Sequence, residues 1–204
     1  TNVYPVLFIG MLSLSFAPIL VRLAQGAGVP SLLIAGSRLI LAALFLTPLV
    51  LRDENRQYLR QLTRRDALLA LASGLFLALH FAAWVTSLEY TSVLLSVVFV
   101  TSSPLWVALL EFFFLRAQLP RLVVIGLLIA LSGGLLIGFA GQNPDIETIS
   151  SRSDLIGGGL SLIGAVAVAV YLIIGRKLRE KMPLFPYVWL VYGCAGISLM
   201  IAVF

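Results

Sequence analysis

The sequence has few charged residues for its length. Asp, Glu, Lys and Arg make up only 11% of its 204 residues, whereas a soluble domain usually carries about 25%. Hydrophobic residues make up 60% of the chain, and the mean hydropathy is +1.06. This composition excludes an ordinary soluble domain and predicts an all-α polytopic membrane protein.

Cysteine and histidine are scarcer still. Cys194 is the only cysteine and His80 the only histidine, so we expect no disulfide framework, metal cluster or cofactor in this sequence. A paired-histidine zinc motif, a G-x-S-x-G elbow and a nucleotide-binding P-loop are also lacking. These absences argue against an intramembrane enzyme and against a pump driven by ATP.

Positive charge lies in short stretches between apolar runs. The formal net charge is +5, and Arg and Lys are densest in residues 52–66 and 176–181. This distribution is typical of topology determinants rather than of a nucleic-acid-binding face. The positive-inside rule places both stretches, and with them the N-terminus, in the cytoplasm. We expect a multi-pass protein of the plasma (bacterial inner) membrane.

Seven apolar runs are each long enough to cross a bilayer, for which about 20 residues suffice. They cover residues 4–24, 31–51, 66–88, 92–115, 122–140, 155–174 and 185–204. The chain starts at Thr1, and its last run reaches Phe204 with nothing after it. We therefore expect a fragment cut at both ends, and whether the native chain continues past Phe204 stays open.

A weak internal repeat predicts the arrangement of these runs. A break with Pro30 separates the first two runs, and a break with Pro183 and Pro186 separates the last two. Five spans lie between the starts of the two copies, and an odd number reverses the orientation in the membrane. Inverted-topology repeats of this kind are common in secondary transporters.

Residues 67–115 form a membrane hairpin with polar groups inside both of its runs. Lipid cannot satisfy polar or helix-breaking residues, which therefore usually face protein or a water-filled cavity. Such residues in the hairpin are His80, Trp84, Thr86, Ser87, Thr101, Ser102, Ser103, Pro104 and Glu111.

Arg38 lies inside the second run, where an unpaired arginine costs about 2.5–3.5 kcal/mol on insertion scales. At 1.5 Å per residue, Arg38 lies about 12 Å and His80 about 13 Å from the outer end. We interpret this shared layer as a substrate cavity. Arg38 would bind a carboxylate or phosphate, His80 a hydrogen-bonding group or a proton, and Trp84 a ring or cation. The alternatives are structural pairing of Arg38, a bond from His80 to a neighbouring helix, and packing of Trp84.

Small residues recur at every fourth position of the fifth run and line one helix face. This stripe predicts close helix packing or a homodimer. Its members are Gly126, Ala130, Gly134 and Gly138.

Short motifs follow one another in a fixed order through nearly the whole chain. They are residues 37–39 (SRL), 81–84 (FAAW), 87–92 (SLEYTS), 103–110 (SPLWVALL), Gly126, 133–134 (GG), 169–171 (AVY) and 175–176 (GR). This ordered set resembles the EamA type of the drug/metabolite transporter superfamily.

The resemblance implies a ten-helix transporter made of two inverted five-helix halves, with both termini inside. Residues 1–141 would be the first repeat, 142–154 an extracytoplasmic loop and 155–204 the start of the second repeat. The chain departs from the family where members often carry a Gly-Glu pair, because residues 115–117 read Leu-Arg-Ala. We therefore do not transfer the role of that glutamate to Glu111.

The leading hypothesis is a secondary transporter that exports or exchanges a small metabolite, such as an amino acid, by alternating access. Proton coupling is left open, and the expected partners are the substrate and the lipid bilayer. An intramembrane enzyme and a seven-helix receptor are the alternatives, although the last run has no lysine for a retinal Schiff base. The predicted substrate-cavity residues, Tyr171 mainly from the resemblance, are Arg38, His80, Trp84, Ser87, Thr101, Ser103, Pro104 and Tyr171.

Overall fold

The computed structural model describes residues 3–116, 120–139 and 152–203. In these residues the chain is helical, without strands, which confirms the all-α prediction. The helices are α1 (Val3–Gly26), α2 (Ser31–Val50), α3 (Asp53–Arg60), α4 (Arg64–Tyr90), α5 (Val93–Val100), α6 (Ser103–Leu115), α7 (Arg121–Phe139), α8 (Arg152–Arg179) and α9 (Leu184–Val203).

Six segments within the described residues are long and apolar enough to cross a membrane. They are α1, α2, α4, the pair α5–α6, α8 and α9, and they correspond to six of the seven predicted runs. The fifth run corresponds to α7, a helix of 19 residues that is not among the six. A seventh span, the ten-helix plan and the inverted repeat therefore stay predictions.

Two basic stretches that the sequence predicts to be loops are helical. Residues 53–60 form α3, with Asp53 and Glu54 in its first turn and Arg60 in its last turn. Each charge is opposite in sign to the partial charge of the helix end where it lies, which stabilises a short helix. Likewise, Arg176 belongs to the last turn of α8 rather than to a loop.

The fourth predicted span consists of two helices separated by a turn at Thr101 and Ser102, whose backbone angles stay in the right-handed helical region. The Ser102 N–H bonds the Phe99 carbonyl rather than the Val98 carbonyl, and the Thr101 hydroxyl donates to the Val98 carbonyl at 3.1 Å. Pro104 lies in the first turn of α6, where its missing N–H has no intrahelical partner to lose. A side-chain hydroxyl thus satisfies the carbonyl that the turn frees inside an apolar span.

α4 lies at the centre of the bundle and packs on α8, α9 and α2. Two glycines permit these close approaches. A Cβ at Gly74 would lie 2.7 Å from the Cβ of Cys194 on α9, and one at Gly164 would lie 3.3 Å from the His80 carbonyl oxygen. Small residues of this kind let helices approach closely where burial of apolar surface does not drive association.

Several predictions fall outside the described residues. The structure does not describe residues 142–151 of the predicted extracytoplasmic loop, 142–154, or the final residue, Phe204. In the α7 stripe only Gly126 is described fully, and there is open space where its Cβ would lie. The side chains of Ala130, Gly134 and Gly138 are not described, so the homodimer stays a prediction.

Candidate functional site

Arg38 points its guanidinium at an aromatic ring of the neighbouring helix. Its Cζ lies 5.6 Å from the centroid of the Phe81 ring on α4, which is the distance of a cation–π contact. The Nη1 atom of Arg38 is buried and has no hydrogen-bond partner among the described residues.

His80 binds the backbone of α8. Its Nδ1 lies 2.8 Å from the Gly164 carbonyl oxygen, which can only accept, so Nδ1 carries a proton. The imidazole meets the Phe81 ring edge-on at 4.9 Å and lies nearly parallel to the Trp84 ring at 6.1 Å. The sequence left open a bond from His80 to a neighbouring helix, and the structure shows that bond.

Trp84 completes a group that we call the Arg38 cluster: Arg38, His80, Phe81 and Trp84. The Trp84 side chain is only 8% exposed, and its Nε1 has no hydrogen-bond partner among the described residues. Arg38 lies about 10 Å from the first residue of α2 and His80 about 15 Å from the last residue of α4, counted at 1.5 Å per residue. The structure therefore joins the first three predicted site residues through Phe81.

Ser87 belongs to a different group, the serine triad of Ser87, Ser96 and Ser161. All three are fully buried and come from α4, α5 and α8. The Ser87 Oγ lies 2.7 Å from the Ser96 Oγ and 2.8 Å from the Ser161 Oγ, and Ser87 donates to the Trp84 carbonyl at 2.6 Å. The hydroxyls satisfy one another, so the triad joins three helices rather than offering groups to a ligand.

The predicted site residues of the fourth span lie at the α5–α6 break. Thr101 is exposed, and its hydroxyl bonds only carbonyls of its own helix. Ser103 is half-buried and Pro104 exposed. Within the described part of the chain, no hydrogen bond or ring contact connects these three residues to the Arg38 cluster.

Tyr171 stacks on a second tyrosine, Tyr187 of α9, with ring centroids 6.4 Å apart. The Tyr187 hydroxyl lies 3.2 Å from the Ser73 Oγ. Tyr187 was not among the residues predicted from the sequence. Its signal was available, since it is a polar-tipped aromatic inside an apolar run.

The comparison with protein families decides between the functional alternatives. Residues 2–139 match the EamA-like transporter family, and this range contains the whole Arg38 cluster. The chain belongs to the EamA-like transporter family. The family is part of the drug/metabolite transporter superfamily, so the predicted resemblance is confirmed. Comparisons with curated proteins and with solved structures give no match.

Family membership identifies a multi-pass membrane protein of the drug/metabolite transporter type. EamA-family proteins are transporters rather than enzymes, and transporters bind their substrates among membrane helices. Polar groups at mid-depth in this EamA-family chain are therefore its candidate site residues, with the Arg38 cluster foremost.

Ion pairs join the helices at the end of the bundle where α4 begins and α8 ends. Arg176 on α8 contacts Glu111 on α6, although the alignment falls short of a hydrogen bond. Lys181, which follows α8, lies 3.1 Å from Asp66 at the start of α4. Glu111 therefore has a structural partner, which gives no reason to assign it the role of the family's glutamate.

Hydrogen bonds join the helices at the opposite end of the bundle. Gln25 donates to Ser31 at 2.7 Å, and Ser31 donates to Glu89, which links α1, α2 and α4. Thr91 donates to Asp154 at 3.0 Å and links the end of α4 to α8. The Arg38 cluster thus lies between two sets of polar contacts, one at each end of the bundle.

Proposed function

We propose that this EamA-family protein is a secondary transporter that exports or exchanges a small metabolite, such as an amino acid, by alternating access. The observation that carries the proposal is the Arg38 cluster, which places a cation and polar-tipped rings at mid-depth among apolar helices. Ionisable residues at such depth are costly and generally mark substrate or ion pathways. Membership of a transporter family supports the same function.

The contacts at the two ends of the bundle support a mechanism of alternating access. To open the cluster to the cytoplasm, α6 and α8 would part at Glu111 and Arg176, and Asp66 would release Lys181. To open it outward, the bonds made by Ser31 and Thr91 would break. Each end has only a few such contacts. The free-energy difference between the inward-open and outward-open states would therefore be a few kcal/mol, which is usual for conformational equilibria.

The architecture belongs to the same proposal. We place residues 1–141 in a first five-helix repeat, 142–154 in an extracytoplasmic loop and 155–204 in the start of an inverted second repeat. The family match over residues 2–139 supports the first of these units. We further propose location in the bacterial inner membrane with a cytoplasmic N-terminus, supported by the basic stretches at the inner helix ends.

A comparison of the metabolites that cells release tests the proposal while the substrate is still unidentified. Bacteria that express the wild-type protein, Arg38→Ala, His80→Ala or the exposed control Arg22→Ala would be grown alongside vector cells. Metabolites in the medium would be identified by mass spectrometry and divided by the amount of inserted protein. Loss of hydrogen bonds to a charged group predicts that release falls about tenfold in Arg38→Ala.

We expect His80→Ala to lose release as well and Arg22→Ala to match the wild type. Equal release per inserted molecule in wild type, Arg38→Ala and His80→Ala would remove both residues from the site. If the medium of expressing cells contains the same amounts of all metabolites as that of vector cells, neither release nor uptake has occurred. This result would contradict the transport function itself.

A further inference from the structure

Two buried hydrogen-bond donors lie beside the same ring without an acceptor. They are Nη1 of Arg38 and Nε1 of Trp84, and neither has a partner among the described residues. Arg38 Cζ lies 5.6 Å and the Trp84 ring 6.1 Å from the Phe81 ring centroid. A buried donor without a partner destabilises the folded protein, and more so if it is charged. Two such donors in one small region indicate that an acceptor is missing.

The acceptor has to carry negative charge, because the described carboxylates do not neutralise Arg38. Glu111 pairs with Arg176 and Asp66 with Lys181, both at the opposite end of the bundle from the start of α2. Glu89 accepts from Ser31 at the start of α2. The described carboxylates lie near helix ends rather than at the depth of Arg38: Asp53, Glu54, Asp66, Glu89, Glu111, Asp154 and Glu180.

The charge count favours a carboxylate over a phosphate. Arg38 supplies one positive charge, and His80 shares its Nδ1 proton with the Gly164 carbonyl. A carboxylate brings one negative charge and two oxygens, which matches one guanidinium and two N–H donors. A phosphate monoester near neutral pH brings up to two negative charges, more than Arg38 alone neutralises.

We propose that the substrate of this protein carries a carboxylate, bound between Arg38 Nη1 and Trp84 Nε1. This inference rests on the proposed transport function and narrows the substrate to carboxylic acids. Phe81 positions Arg38 by the cation–π contact, which leaves Nη1 available to the ligand. The indole N–H of Trp84 adds a second, directional donor.

Binding of matched small molecules to the purified protein tests the proposal. Thermal unfolding would be followed in detergent with acetate, acetamide, benzoate, benzamide and phenyl phosphate, each at millimolar concentration. The acid and its amide have nearly the same size and differ in charge. A carboxylate that binds the folded protein raises the unfolding temperature. We therefore expect benzoate, acetate or both to raise the unfolding temperature more than the matching amide and more than phenyl phosphate.

Three variants identify the residues responsible. Arg38→Gln removes the charge and is expected to abolish the difference between acid and amide. Trp84→Phe keeps a ring but removes the N–H, which predicts an affinity for the carboxylate about tenfold weaker. Arg22→Gln removes an exposed arginine and should behave as the wild type. If Arg38→Gln does not fold, the affinity of Trp84→Phe for the carboxylate tests the site.

The proposal is overturned if no carboxylate raises the unfolding temperature more than its amide does, or if phenyl phosphate raises it more than benzoate does. It is also overturned if Trp84→Phe, and Arg38→Gln where it folds, bind carboxylates as tightly as the wild type. Failure of the transport proposal has a different signature. If carboxylate binding depends on Arg38 but the protein releases no metabolite, the transport proposal fails and the carboxylate site stands. If the protein releases only neutral or cationic metabolites, the transport proposal stands and the carboxylate proposal fails.

Discussion

His80 and Gly164 hold α4 and α8 together at the Arg38 cluster. The imidazole Nδ1 lies 2.8 Å from the Gly164 carbonyl oxygen, and a Cβ at Gly164 would lie 3.3 Å from the His80 carbonyl oxygen. The close approach of the two helices and the hydrogen bond therefore depend on the same pair. The bond also fixes the orientation of the His80 ring beside Phe81 and Trp84.

Replacing His80 separates this structural bond from a role in transport. Asn can donate its side-chain N–H to the Gly164 carbonyl, whereas Ala cannot. We expect His80→Ala to lower stability by about 0.6–1.5 kcal/mol and His80→Asn to lower it less, as measured by thermal unfolding. If the imidazole acts on substrate or a proton, both variants lose transport. Full transport by His80→Asn would show that His80 only positions the helices.

Enlarging Gly164 is expected to push α4 and α8 apart. Valine at this position would meet the His80 carbonyl and the Trp84 backbone, and overpacking of this kind typically costs about 1–3 kcal/mol. Gly159→Val on the same helix is the matched control, because nothing lies within 4 Å of a Cβ there. Yield of monodisperse protein and its unfolding temperature measure the effect. Equal behaviour of the two variants would contradict the close packing at Gly164.

The serine triad is expected to act as one unit. Ser161→Ala leaves the bond between Ser87 and Ser96 intact, so we expect a loss of about 1 kcal/mol. Replacing all three with Ala leaves no hydroxyl unpartnered and should cost less than the sum of the single changes. Thermal unfolding of the single, double and triple variants measures this coupling. Ser132→Ala is the control, since Ser132 is exposed on α7; strict additivity in the triad would show that its members act independently.

Breaking the ion pair between Arg176 and Glu111 should alter transport more than stability. The Arg176 side chain is 64% exposed, and exposed ion pairs typically contribute about 0–1 kcal/mol. We expect Glu111→Gln and Arg176→Gln to change the transport rate to a similar extent and the double variant to change it no further. Lys177→Gln, at an exposed neighbouring position, is the control. A double variant with twice the effect of either single change, on a logarithmic scale, would mean that the residues do not act as a pair.

Cysteine labelling checks the proposed orientation. Cys194 is the only native cysteine, so Cys194→Ala provides a background without thiols. Ala27→Cys, after α1, should react with a membrane-impermeant maleimide in intact cells, and Gln57→Cys, in α3, should react only after the cells are opened. The reverse pattern would contradict a cytoplasmic N-terminus.

The sequence alone was enough to predict six of the helical spans and the resemblance to the EamA-like family. The spans depend on local chemistry, because a run of about 20 apolar residues has to satisfy its backbone as a helix in lipid. The division of the fourth span into two helices was not predicted, although polar and helix-breaking residues were recognised there.

Only the tertiary structure decided which polar side chains meet. Arg38 and His80 were predicted to share a depth. Their connection through Phe81 and the place of Ser87 in the serine triad rather than beside Arg38 were not predicted. Depth follows from counting residues along a helix, whereas contact depends on how each helix is rotated and crossed. In helices that are apolar on every face, rotation is set by glycine contacts and interhelical hydrogen bonds between residues far apart in sequence.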